Sequence, residues 1–205
     1  MTDLISAVSV LVAALAFLTA VSAWKREFVG KRKIELAESV LALFYEAEDA
    51  IREIRSPFGH VGEGTSRERS PGETEAESTL LDRAYVVFER YQKREQLFSQ
   101  LRSLRYRFMA TFGAGAGQPF DDLSRILREI FTAAQMLGRH YWPRQGRVQM
   151  TEPQFQKHLA EMHRNEAVFW ITTEEEDKIS PRLRTAVEIT RDAVASRSGS
   201  ILWWR

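Results

Sequence analysis

The sequence predicts an all-α protein: a single N-terminal transmembrane helix that continues into a long cytoplasmic helix, packed as an antiparallel helical bundle of about five helices. Three observations carry that expectation. Residues 4–23, LISAVSVLVAALAFLTAVSA, contain no charged residue and no proline. From residue 24 onward, apolar residues recur three and four positions apart within highly charged sequence, the spacing of one helix face. Clusters of glycine, proline and polar residues then divide the chain into segments of helical length.

The first segment is the most informative. At a rise of about 1.5 Å per residue, twenty residues cross a bilayer core about 30 Å thick. Val21-Ser22-Ala23 has the small residues of a cleavage site, but a secretory signal needs a positive region first, and only Asp3 precedes the apolar run. The positive charges follow it instead, at Lys25, Arg26, Lys31, Arg32 and Lys33. Excess Lys and Arg marks the cytoplasmic flank, so the expected topology is single-pass, N-terminus outside and the bulk of the chain cytoplasmic. Trp24 at the junction fits an anchor at headgroup depth. A cleaved signal and a buried helix of a water-soluble core are the competing readings.

Within the apolar run, Ser6, Ser9, Ala13, Ala16, Ala20 and Ala23 form one stripe of small side chains, which lets helix backbones approach closely in lipid. The same phase reaches Glu27, Gly30, Ile34, Ala37, Leu41, Phe44, Glu48 and Ile51. This is the pattern of a self-association seam extending past the membrane. Chance is the plain alternative, because the run is rich in Ala, Ser and Thr.

The domain scheme follows in chain order. Residues 1–23 are the anchor, 24–197 the bundle, and 198–205 an apolar, Trp-rich tail containing Trp203 and Trp204. The helix from residue 24 stops at Arg55 or Ser56, since Pro57 disfavours helical geometry before it. Glu48 and Arg52, four apart, suit an ion pair. Residues 56–78 carry six Gly and Pro among polar residues and predict a flexible loop, in which Phe58 and His60 read as a local staple at the helix end, with a docking point for a partner as the alternative. A second long helix is expected over 79–111, with Thr79 and Asp82 as a capping pair and a basic, solvated face of arginines and Lys93.

Gly113 to Pro119 breaks that helix, and a third runs over 120–137 with Gly138 as terminator. Residues 139–150 read as an irregular connection in which Tyr141 and Trp142 cover the core. Thr151, Pro153 and Gln154 open a fourth helix, with Phe155, Leu159, Met162 and Phe169 inward. Ser180-Pro181 caps a fifth.

Function classes narrow less readily. The 205 residues carry a net charge of +1, so nucleic acid is not an expected partner. Without cysteine there is no thiolate metal site, disulfide or cysteine nucleophile. No Walker loop, Gly-x-Ser-x-Gly elbow or His-Glu-x-x-His pair occurs. His158, Glu161, His163 and Glu166 invite a metal or acid-base reading, with His140 a possible addition. The two helix histidines, however, point about 140° apart on a helix. No catalytic, cofactor-binding or metal residue is assigned, and no cofactor is expected.

The favoured function is a membrane-anchored, non-enzymatic helical interaction or scaffold protein whose partners are membrane lipid and itself or another membrane or cytoplasmic protein. A membrane-bound metal-dependent hydrolase using the His158/His163 helix and a regulatory subunit of a membrane complex are the alternatives.

Overall fold

The computed structural model describes residues 2–172 and 177–197, without the side chains of 2–12, Ala14, Arg26, Ser196 and Arg197; the tail residues Trp203 and Trp204 lie outside the described residues. Its elements are helical: α1 (Thr2–Ile54), α2 (Glu75–Lys93), α3 (Glu95–Phe112), a 3-10 turn (Ala114–Gly117), α4 (Gln118–Met136), a π-helical turn (Leu137–Tyr141), the short α5 (Trp142–Arg144), α6 (Glu152–Phe169) and α7 (Ser180–Arg197). The expected all-α bundle is present.

Among the described residues, no helix is long and apolar enough to cross a membrane. The apolar run of residues 4–23 belongs to α1, and much of it falls where side chains are not described.

α4 sits at the centre of the packing. Phe120, Leu123, Ile126, Leu127, Ile130, Ala133 and Ala134 repeat at helical spacing, and all are buried. This face meets α2, α6 and α7. Among the described side chains of α1, those in the core run from Leu36 onward, through Ala37, Val40, Phe44, Ala47, Ile51 and Ile54. α3 returns along α1: Arg94 at its start pairs with Glu53, while Phe108 near its end packs on Phe120, which meets Phe44 edge-on at 5.0 Å.

Several local expectations are corrected. The helix expected over 79–111 is two helices divided at Arg94, and α2 begins earlier than Thr79. The working capping box is Thr74 with Glu77, each side chain bonded to the other's backbone N–H, while Asp82 pairs with Arg67 and Arg69. The segment expected to be a flexible loop is laid against α2 by that same carboxylate, and Arg67 also binds Glu73. Phe58 is exposed and staples nothing.

Gly138 does not terminate a helix. It lies buried in the π-helical turn, and a Cβ there would stand 2.6 Å from the Cβ of Ala84 on α2. The turn continues the helix through part of the segment read as irregular. Trp142 then arrives in the core, as its core-covering role requires, edge-on to Phe169 at 5.6 Å. Gly113, at φ 93°, makes the sharp exit from α3 that the glycine-rich stretch predicts. On α6, Phe155 faces outward instead of inward, and His158 takes the buried position. Asp177, rather than Ser180, supplies the acceptor at the start of α7, by taking the Ser180 N–H at 2.9 Å.

The Gly138–Ala84 approach gives a direct test of packing. Gly138→Ala should lower unfolding free energy by about 1–3 kcal/mol through overpacking. Adding Ala84→Gly should restore much of the loss, less roughly 1 kcal/mol for glycine within a helix. Urea denaturation of the two variants measures both steps.

Candidate functional site

Two buried arginines dominate the electrostatics of the bundle. At the end of α1 the Ser56 N–H closes on the Glu53 carbonyl at 3.1 Å, and the carbonyls of Ile54 and Ser56 take donors from elsewhere in the chain. Arg90 on α2 supplies the donors. Its Nη1 donates to the carbonyls of Glu53 (3.1 Å), Ile54 (3.2 Å) and Ser56 (2.7 Å), and its Nη2 to that of Phe58 (2.7 Å). Glu63 neutralises it through paired contacts of 2.7 and 2.8 Å. The Arg90 hydrogen bond to Glu63 holds that carboxyl below its ordinary value against the opposing effect of burial.

Arg55 repeats the arrangement at the end of α6. It donates to the carbonyls of Ala167, Val168 and Trp170 and pairs with Asp177 at 2.6 and 3.1 Å, both side chains being 1% exposed. The Ile171 N–H returns a bond to the Arg55 carbonyl at 2.8 Å. Burial pushes the Asp177 carboxyl upward, yet the donors Arg55 and Ser180 more than offset it and leave it below its ordinary value. All the groups in this junction are satisfied by one another, so its chemistry is structural.

Beside Arg90 lies an open cleft of about 700 Å³, lined by Gly59, Glu63, Arg69, Arg83 and Trp170 among others. Its charges are already paired within the protein: Arg69 holds Asp82 and Glu75, and Arg83 rests over the Trp142 ring at 4.6 Å.

The histidine set does not converge. His158 is buried against Tyr141, ring centroids 5.6 Å apart, and its Nε2 has no hydrogen-bond partner. His163 and His140 are exposed. Glu161 accepts from the Tyr141 hydroxyl at 3.2 Å and Glu166 from the Trp142 indole at 2.9 Å. Burial, then the Glu161 charge, raises the Tyr141 phenol. Among the described residues no group of three potential ligands could hold a metal ion.

The sequence-predicted interface residues occupy the other end of the molecule. Lys25, Lys31, Arg32 and Lys33 are exposed, as are Ala13, Ala16, Ala20 and Ala23; the side chains of Ser6, Ser9 and Arg26 lie outside the described residues. Trp24, 63% exposed, stacks on Phe28 at 5.7 Å, and the Arg32 guanidinium covers the other ring at 4.5 Å. Leu15, Phe17, Leu18 and Val29 are exposed on the same helix. The association seam does not continue beyond this stretch as the phase suggested. Ala37, Phe44 and Ile51 are buried in the chain's own core and Leu41 packs against it, so that stripe is occupied within the chain.

Sequence reasoning found the α1 surface because charge and hydropathy are local signals. It missed the Arg90 and Arg55 junctions, whose partners lie up to 122 positions away. No family model, curated protein or solved structure matches this chain.

Two tests address the junctions. Arg55→Ala should destabilise the fold by about 3–5 kcal/mol, because it strands Asp177 and the carbonyls of Ala167, Val168 and Trp170, whereas Arg55→Met with Asp177→Leu should recover only the part due to the buried charge and leave the carbonyl loss in place. Thermal melts of the single and double variants distinguish the outcomes. The second test is acid stability. Arg67, then Ser70, holds the Glu73 carboxyl down to about 2 from 4.5, and Glu63, Glu89 and Asp177 are also depressed. A depressed folded-state value means stability is present above the unfolded value and lost as pH falls through the folded one. The urea midpoint should therefore stay level above about pH 5 and fall steadily toward pH 2.

Proposed function

We propose that this chain is a membrane-tethered, non-enzymatic interaction protein, with the N-terminal part of α1 as the anchor and the bundle held at the cytoplasmic face. The observation that carries the reading is the change in burial along a single helix. From Leu36 to Ile54 α1 supplies the core, whereas its described side chains from 13 to 35 are exposed apart from the half-buried Val21 and Gly30. Among the described residues Leu15, Phe17 and Leu18 are exposed. A helix that keeps large apolar side chains out of its own core requires another apolar environment for them.

The uncharged run of residues 4–23, the aromatic junction at Trp24 and the positive charges that follow suit a bilayer better than a protein groove. On this reading Lys25 to Lys33 lie at the inner headgroups, and basic residues there gain about 1 kcal/mol each against an anionic leaflet. Tethering confines the bundle to two dimensions and raises its effective concentration toward any neighbour in the same membrane. Self-association through the small-residue stripe is confined to the helix before Leu36.

The anchor is tested in the whole chain. The protein expressed in cells should resist extraction by alkaline carbonate, whereas Leu15→Arg with Leu18→Arg, costing roughly 2.5–3.5 kcal/mol per charge at mid-membrane, should release it. Recovery of the unaltered chain wholly in the carbonate supernatant would sink the proposal.

A further inference from the structure

Between Trp24 and Lys33, α1 carries a preassembled column of exposed side chains. Trp24 and Phe28, one turn apart, stack at 5.7 Å with their planes 20° from parallel. The Arg32 guanidinium, one turn further, lies 4.5 Å from the Phe28 ring centroid. Both rings and the guanidinium stand in the open. At about 100° per residue, the column lies roughly 150° round the helix from the core-facing row of Ala37, Val40, Phe44 and Ile51. Lys33 continues that row, whereas Arg32 points away from it.

Helical side chains lean toward the N-terminus of their helix. A guanidinium resting over the ring four residues earlier therefore stands about one turn nearer the start of α1 than its own Cα. With α1 as the tether, that direction is the membrane. Phe28 lies about 6 Å past Trp24, and Arg32 about 12 Å. The headgroup layer is about 5–8 Å thick on each side of a bilayer. Held over Phe28, the Arg32 charge falls within that layer; extended along the helix it would fall outside. A guanidinium lying over a ring keeps its N–H edge for a pair of oxygens, and phosphate is the oxyanion at that depth. Lys25, seven positions before Arg32, shares its face and is exposed. The acidic neighbours are set apart: Glu27 lies about 140° round the helix from Arg32, and Glu35 about 16 Å past Trp24.

Resting on the tether reading above, we infer that Arg32 and Lys25 form a binding site for the phosphate of an anionic phospholipid, with Trp24 and Phe28 as its apolar floor. Phe28 is the positioning residue, since its ring holds the guanidinium at headgroup depth. Because the column is assembled before lipid arrives, binding orders few side chains. The occupant carries net negative charge: two cations meet its phosphate, and a zwitterionic headgroup would bring a cation of its own against them.

Lipid-selective quenching tests the site. The full-length chain is reconstituted in mixed vesicles of phosphatidylcholine and phosphatidylglycerol, with one or the other lipid brominated near the start of its acyl chains. The Trp24 signal is the part of the fluorescence lost in Trp24→Phe, so the remaining tryptophans cancel. At equal mole fraction, phosphatidylglycerol should quench it several-fold more than phosphatidylcholine. Arg32→Gln should lower that preference about fivefold. Phe28→Leu, which keeps the charge and removes the ring, should lower it in the same direction. Lys33→Gln removes the same charge from a position about 14 Å past Trp24 and should change the preference less than about twofold. Equal quenching by both lipids, equal effects of Arg32→Gln and Lys33→Gln, or an unchanged preference in Phe28→Leu would overturn the site while leaving the tether intact. Absence of Trp24 quenching by either brominated lipid would overturn both. Unchanged far-ultraviolet circular dichroism confirms that the variants share the fold.

Discussion

The last carbonyls of a buried helix must find donors, and in this protein long-range arginines supply them. α1 and α6 both end at buried arginines, and an unpaired carbonyl there costs about 1–3 kcal/mol. Arg90 serves the first helix and Arg55 the second, each at several oxygens simultaneously, and each brings a carboxylate that cancels its charge. The planar, multiply donating guanidinium suits this task better than an ammonium group. Because Arg55 is itself at the end of α1, the two junctions form a chain: α2 secures α1, and α1 secures α6 and the start of α7. The order of the helical layers rests on that polar sequence, and the apolar faces fill it.

The molecule is consequently polarised. The arginine junctions gather at the end of α1 that carries Ile54, the middle is a conventional apolar core built on α4, and the opposite end releases a helix with its apolar side chains uncovered. The small residues are placed where backbones come closest. Gly138 lets the π-helical turn press on Ala84, and that turn brings Trp142 between Arg83 and Phe169. The 700 Å³ cleft lies near the Arg90 junction, but its ionic groups are engaged with each other, so its chemistry is that of a solvated seam.

The legible part of the sequence was the part encoded locally. Periodic apolar residues located α4 and the core-facing half of α1, Pro57 ended α1, and Thr151 with Gln154 opened α6 in the expected capping box. Glu48 and Arg52 pair at 3.2 Å as their spacing implies. Segment 56–78 is loop up to Thr74 as expected, but its ion pairs were not legible, because apolar pattern is blind to them. It has almost no core residue, yet Arg67, Glu63 and Glu73 tie it down. Arg90 was one of several basic residues on a helix, and nothing within a few positions separates it from its solvated neighbours. Phe155 was read as inward from its apolar character, yet it is exposed, and His158 on the same helix is buried against Tyr141. The basic and aromatic stretch of α1 was visible for the opposite reason, since its residues are neighbours in sequence and on the helix surface.

The 53 residues of α1 form one uninterrupted helix, with no proline and with its single glycine, Gly30, standing clear of any neighbour. At about 1.5 Å per residue it is a rod of roughly 80 Å. Such a rod has no joint at which motion of one end can be absorbed before reaching the other. Its half from Leu36 to Ile54 is fixed in the core, so the packing of that half sets the direction in which the exposed half leaves the bundle.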